Sequence, residues 1–442
     1  MCSCSATHSF GASREPAHAV KLIFVNRYFH PDHSATSQML SGVAFELAAA
    51  AYDVHVVTSR QRYDAPGEAL AGRETVDAVA ITRVWTSRFG RSNLIGRAFD
   101  YLTFYLTAAW ALWRLARRGD VIVVKTDPPM MSVLAAPIAR WRRALLVNWL
   151  QDIFPEVAEG LGMSRGGLGR AAFGLMRWLR DRSLKSAEIN VVLGERMAER
   201  LRGLGIAPGS IRIISNWADG ALIRPVEPVQ NALRRDWGLA DKFVVGYSGN
   251  LGRAHDVETM LEAIILTQKA VLSGSIAWLV IGGGAQFARM QHEAEAHGLA
   301  SVSFKPYQPQ ARLAESLSAA DVHMISLRPE LEGLIVPSKF YGVAAAGRAS
   351  IFIGDAEGEI ARTLRRIAGG TTVPQGDGAA LAEAVIALAT DPQRCLAMGA
   401  NARRAFENEY DKKIAVGRWQ QVIDEVAGGR YPKANSDQSF RA

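Results

Sequence analysis

The sequence predicts an α/β fold of two doubly wound, Rossmann-like domains facing each other across a cleft, and three observations carry that expectation. The chain has 442 residues, of which 49% are hydrophobic and 21% charged, too many for one ordinary core and too apolar for a disordered chain. Short, nearly continuous runs of β-branched residues alternate with longer helical patterns, as expected of strands buried on both faces of a parallel, helix-covered sheet. The alternation breaks at a proline-bearing stretch, "DGALIRPVEPVQNALRRDWGLAD", and then starts again.

Taken in order, "VKLIFVN", "DVHVVTS", "DVIVVKT", "ALLVNWL", "EINVVLG" and "IRIISNW" read as the strands of the first domain. Helices begin between them near Thr36, Arg97, Met131, Leu168 and Glu195. In the second domain "FVVGYSG", "IAWLVIG", "VSFKPYQ", "DVHMISL" and "ASIFIG" read as strands. The expected boundaries are a flexible leader at 1–19, a first domain at 20–218, a linker at 219–241 and a second domain at 242–411. A C-terminal helix at 412–428, crossing back to the first domain, and a tail at 429–442 complete the chain. Doubly wound sheets place ligands at the carboxyl ends of their strands, so facing domains enclose a cleft.

Lys and Arg exceed Asp and Glu by 8, and the pI near 9.5 suggests an anionic partner. Nucleic acid is not the expected one, because the basic residues are scattered and no reading module is present. Three cysteines, two of them in "MCSCS", give neither a disulfide framework nor a zinc spacing, and no metal site is expected; a reducing cytoplasm fits. The leader lacks the form of a secretory signal, and no apolar run is long enough to span a bilayer. "YLTFYLTAAWALWRLARR", Tyr101 to Arg118, has the composition of a helix lying on anionic lipid, and equally that of a buried helix with a basic end.

Chemistry-bearing text lies at the strand ends. "GYSGNLGRAHD" offers Gly249, Gly252 and Arg253 as a loop where backbone approaches a phosphate and a guanidinium grips it. "VIGGGAQ" places Gly282, Gly283 and Gly284 at the next strand end, either for close approach to a base or ribose or as a tight turn. "RPELEG" brings Glu330 and Glu332 near "VPSKFYGVAAAGR", in which Pro337 precedes a Ser338 N-cap, Lys339 adds a cation at the first turn, and Gly347 suits the position past the last. In the first domain "YFHPDHSATSQ" offers His30, Asp32 and Thr36, and "NWLQDIFPE" offers Asp152 and Glu156, carboxylates suited to orienting an acceptor hydroxyl or to capping.

The order of these segments resembles the GT-B fold glycosyltransferases of family 4, in particular the bacterial surface-polysaccharide branch with colanic-acid and O-antigen enzymes. The resemblance rests on "NRYFHPDHSATSQ", "TDPP", "LQDIFPE", "ISNWAD", "GYSGNLGRAHD", "IGGGAQ" and "VPSKFYGVAAAGR", and covers residues 20–428. It implies transfer of a sugar from a nucleotide-diphosphate donor in the second domain, a UDP-sugar by expectation, to an acceptor in the first. That acceptor is a glycan or a polyprenyl-diphosphate-linked glycan. Retention, no obligatory metal, no cofactor and a cytoplasmic location with peripheral contact to the inner membrane face are further implications. Matched motif by motif, Arg253 and Lys339 contact the diphosphate, residues 282–284 the nucleoside, and amides after Gly333 and before Ser338 the phosphates. Asp152, which follows a first-domain strand across the expected cleft from Lys339, is expected on the acceptor side. The sequence departs from the family pattern at Gly342, where a ribose-binding glutamate is usual, and at His255, where many relatives carry a lysine. The first departure keeps open a catalytically silent scaffold that binds sugar nucleotide or a partner transferase. An epimerase or dehydrogenase is disfavoured, since the N-terminal Gly-rich fingerprint and a Tyr-x-x-x-Lys pair are missing.

Overall fold

The computed structural model describes residues 20–32, 34–63, 68–90, 94–163, 166–270 and 274–428; the expected leader and the expected tail lie outside them. The first unit runs β1 (Lys21–Val25), α1 (Ala35–Ala49), β2 (Asp53–Ser59), β3 (Arg73–Val76), β4 (Val79–Val84), α2 (Leu94–Leu115), β5 (Val121–Lys125) and α3 (Met131–Arg142). It continues with β6 (Leu145–Trp149), α4 (Glu156–Gly160), α5 (Gly166–Ser186), β7 (Ile189–Val192), α6 (Glu195–Gly203) and β8 (Ile211–Ile213). The second runs α7 (Ala232–Asp236), β9 (Phe243–Asn250), α8 (Glu258–Lys269), β10 (Ile276–Gly283), α9 (Phe287–Ala296), β11 (Val302–Lys305), α10 (Leu313–Ser318) and β12 (Val322–Ser326). Then follow α11 (Lys339–Ala345), β13 (Ala349–Ile353), α12 (Glu359–Ile367), β14 (Gly370–Val373), α13 (Gly378–Thr390), α14 (Pro392–Ala405) and α15 (Lys412–Ala427).

The sheets have strand orders β3-β4-β2-β1-β5-β6-β7-β8 and β11-β10-β9-β12-β13-β14. Pairing is parallel throughout except between β3 and β4. This is the expected pair of doubly wound domains, and the central strands β5, β12 and β13 are buried along their whole length, as their unbroken apolar text requires. Three strands were not expected: β3, β4 and β14. β3 reads "RETV" and β14 "GTTV", and both sit at sheet edges, where one face meets solvent and the apolar run is unnecessary.

The first core joins Leu22, Phe24, Val54 and Trp149 to Leu40 and Val43 of α1, and also to Trp419 and Ile423 of α15. The Trp149 and Trp419 rings lie 4.6 Å apart by centroid, and Tyr52 Oη donates to Asp424 at 2.8 Å, so the last helix is packed against the first domain. Between the domains, one apolar cluster holds Leu150, Ile153 and Met197 together with Leu331, Leu334 and Phe340. Around it Ile153 N donates to Leu334 O at 2.9 Å, and the Glu359 carboxylate accepts from Arg196 N at 2.9 Å, in the first turn of α6. These contacts set the two sets of strand ends against each other.

Candidate active site

Glycines set the floor of the second-domain side. Gly249 of β9 pairs with Gly282 of β10, and Gly282 has φ 137°, with a Cβ there standing 2.1 Å from Gly249 O. No side chain fits, so the strands approach more closely than any other residue permits. Beyond them Leu251 N donates to Gly283 O at 2.7 Å and Gln286 N to Leu251 O at 2.9 Å, locking the Gly252–Arg253 turn to the Gly283–Gly284 turn. Arg253 stands exposed on this rim.

Lys339 lies over this floor. A Cβ at Gly249 would stand 3.1 Å from Lys339 Cε, and the ammonium sits 5.1 Å from the Tyr247 ring centroid. Its Nζ lies 3.0 Å from His255 Nε2, while His255 Nδ1 lies 2.6 Å from Ser326 O. A carbonyl only accepts, so those partners assign the proton to Nδ1 and leave Nε2 as acceptor for the lysine. Burial pushes His255 down to about 3, with the Lys339 charge acting in the same direction. Burial likewise lowers Lys339 to about 8. Among the described residues no carboxylate lies within 4.0 Å of that ammonium. His255 therefore holds Lys339 by a neutral nitrogen and leaves its charge uncompensated.

Around Lys339, Pro337 is buried and Ser338 exposed. Ser338 occupies the N-cap position with helical dihedrals, and its hydroxyl makes no capping bond, so the expected side-chain cap is replaced by an open first turn. Gly347 has φ 65°, as expected past a helix end. A side chain at Gly342 would first meet Leu317 of α10. Glu330 is exposed beside Arg328. Glu332 is 5% exposed, and its Oε1 accepts from Glu359 N at 2.8 Å, which places its carboxylate at the first turn of α12.

On the first-domain side Asp152 forms an antiparallel bridge with Ile335, four positions before Lys339 in sequence. Its Oδ1 is sealed from solvent without a partner, and burial raises the carboxyl to about 6. Thr36 Oγ1 donates to Asp127 Oδ2 at 2.8 Å, and Lys125 Nζ donates to Thr36 O at 2.8 Å while lying 4.3 Å from the Trp149 ring centroid. Burial lowers Lys125 to about 7 and raises Asp127. Arg27 is 4% exposed, with Tyr28 and Tyr101 rings 5.3 and 5.0 Å from its guanidinium carbon. Asp152 and Thr36 thus join Arg27, Lys125 and Asp127 at the ends of β1, β5 and β6.

Other first-domain candidates are taken up locally. Asp32 accepts from the amides of Ser34 and Tyr63. Glu156 is held by both Nη atoms of Arg180, at 2.8 and 2.7 Å. His30 packs its ring edge-on to Phe45, and its carbonyl accepts from Arg83. Sequence reading passed over Arg27, Lys125 and Asp127, although charges closing an apolar strand in "VIVVKTDPP" were a readable signal.

Residues 35–217 match the glycosyl transferase 4-like domain, and residues 229–405 match the domain of the glycosyl transferases group 1. WbjE of Pseudomonas aeruginosa, named a glycosyltransferase, is 28% identical over 342 residues, 76% of this chain and 83% of that one. WcaI of Escherichia coli K12, named for colanic acid biosynthesis, is 22% identical over 329 residues, 74% of this chain and 75% of that one. Among solved structures, Anabaena HepE in complex with UDP and glucose superposes with a TM-score of 0.67 at 14% identity, covering 92% of this chain and 100% of that one. Since the two domains that meet at these strand ends each match a glycosyltransferase domain, one after the other along the chain, the protein belongs to the GT-B glycosyltransferases of family 4.

Proposed function

We propose that the protein transfers a sugar from a nucleoside-diphosphate sugar, a UDP-sugar in the first instance, to a glycan or polyprenyl-diphosphate-linked acceptor in surface polysaccharide assembly. The observation that carries this reading is Lys339: a half-buried ammonium without a carboxylate partner among the described residues, over glycine strands at the mouth of a domain cleft. A diphosphate is the anion that such a group lacks. The UDP bound by HepE and the colanic acid named for WcaI support the donor and the product class.

In the proposed reaction the bond from the anomeric carbon to the β-phosphate oxygen breaks while the acceptor oxygen attacks from the same face. Negative charge builds on the departing diphosphate, where Lys339, the exposed Arg253 and the open first turn of α11 stabilise it without reorganising. Asp152, across the bridge to Ile335, orients the acceptor hydroxyl, and the leaving phosphate takes its proton. Retention follows from same-face attack. The chemistry needs no metal, because cations and amides already face the charge.

The same reading places the acceptor lipid at a membrane. Between α2 and α3 an apolar hollow of about 460 Å³ is lined by Leu106, Trp110, Trp113, Ile138 and Trp141, with Arg114 and Arg142 over the Trp110 and Trp113 rings. Trp141 is 73% exposed and Trp110 58%. Wet indoles fringed by guanidinium groups suit the headgroup region of anionic lipid. No helix among the described residues is long and apolar enough to cross a membrane. The test is a panel of UDP- and GDP-sugars with purified protein and a lipid-diphosphate glycan. Acceptor-dependent release of UDP supports the reading, whereas binding of sugar nucleotide without transfer to any acceptor supports the silent scaffold.

A further inference from the structure

At the opposite ends of the second sheet, remote from Lys339, a cavity of about 280 Å³ opens where β9, β13 and α14 begin. Its wall carries three cations, Arg234, Lys242 and Arg348, and one carboxylate, Asp321. That carboxylate is already used. Its two oxygens accept from Arg234 at 2.8 and 3.0 Å, and one also accepts from Val244 N at 2.7 Å.

Arg348 is left over. It is 6% exposed, its Nη2 donates to the carbonyls of Val226 and Ser318, and its Nε is sealed without any partner. Among the described residues no carboxylate lies within 4.0 Å of its guanidinium. Buried charges are ordinarily paired, because desolvation costs more than carbonyl dipoles return. Burial holds this guanidinium below its usual value, although the carboxylates of Asp321 and Glu227 act from a distance in the other direction. The rest of the wall includes Phe243, Pro392 and Leu396, so the space takes an apolar body beside the charge.

We propose that this cavity is a second binding site, distinct from the donor cleft, for a small organic anion: a phosphate or carboxylate carried on an apolar body. Its position gives such a ligand a route to the donor site. Two residues separate Arg348 from the end of α11, and the first residue of that helix is Lys339. Arg348 also holds Ser318, whose neighbour Leu317 lies 3.4 Å from where a Cβ on Gly342 of the same helix would stand. An anion that draws Arg348 away from Val226 and Ser318 shifts both the linker and the helix carrying the donor lysine.

The test uses phenyl phosphate and inorganic phosphate as probes, by calorimetry on the full chain. Wild type is compared with Arg348→Met, with Leu396→Trp, which fills the cavity mouth and keeps every cation, and with Lys339→Ala, which disables the donor cleft. Phenyl phosphate is expected to bind wild type and Lys339→Ala alike, to bind more tightly than inorganic phosphate, and to lose roughly tenfold or more in affinity in Leu396→Trp and Arg348→Met. Should Arg348→Met fail to fold, Leu396→Trp alone decides. Equal binding to wild type and Leu396→Trp overturns the proposal. So does loss in Lys339→Ala only, which assigns the anion to the donor cleft, or absence of binding to wild type at about 10 mM probe.

Discussion

Replacing Lys339 by methionine is expected to stabilise the empty protein while weakening its hold on the donor. The ammonium is held at about 8 by burial, against an ordinary 10.5, a gap corresponding to roughly 3 kcal/mol of unfavourable burial at neutral pH. Methionine fills a similar volume without that cost, but orphans His255 Nε2, which takes back about 1 kcal/mol. A net gain of about 1–2 kcal/mol is expected at pH 7 in denaturant unfolding. The sign with pH follows from the depressed value. Between about 8 and 10.5 the unfolded wild type binds the proton that the folded state has released, so wild-type stability rises across that window, and the rise is missing in the variant. Calorimetry with UDP should show the opposite trade, a loss of roughly 1.5–3 kcal/mol, or about 10- to 100-fold in affinity. In wild type, UDP affinity should fall above about pH 8 as the ammonium deprotonates. A variant that loses UDP binding and stability together would make Lys339 a structural residue, and one that binds UDP like wild type would refute the anion-site reasoning outright.

Asp152→Asn should lower transfer by about 100-fold and leave UDP affinity and the melting midpoint near wild type; with the carboxyl at about 6, wild-type transfer should also fall as pH drops below that value. A loss of stability with transfer kept would instead assign Asp152 to the interdomain bridge. Gly282→Ala is expected to cost more than about 3 kcal/mol, because a Cβ at φ 137° would stand 2.1 Å from Gly249 O, and an unfolding midpoint close to wild type would show that the strand ends part easily. Trp110→Ser with Trp141→Ser should reduce sedimentation with acidic liposomes, and salt should reduce it further; binding unchanged in both tests would return the hollow between α2 and α3 to a protein partner or to none.

How far the sequence reached depended on which residues carried the signal. Two parallel sheets were legible because their central strands are continuous apolar runs that only a doubly covered sheet explains, as in "VIVVK" and "VHMIS". β3 and β14 were not, because edge strands need no such run, and "RETV" and "GTTV" look like turns. At the site, glycines and Lys339 stood out by residue type. What Lys339 touches did not: only the fold brings His255, 84 positions away, to its Nζ. The opposite happened with Glu156 and Glu332. Carboxylates at strand ends attract notice, and the structure occupies one with Arg180 and the other with the first turn of α12. Lys125 and Asp127 were marked by the charges that close the apolar run "VIVVKTDPP", but the full burial that sets them apart from ordinary strand-end charges is not printed in a single sequence.

The central claim is that the donor's diphosphate lies against Lys339 over the Gly249–Gly282 floor. Electron density from crystals soaked with UDP tests it most directly. The account predicts both phosphates between Lys339 Nζ and the Gly249–Arg253 turn, with the uracil toward Gly282–Gly284. UDP seated elsewhere in the cleft, with the Lys339 ammonium still bonded only to His255, would contradict it.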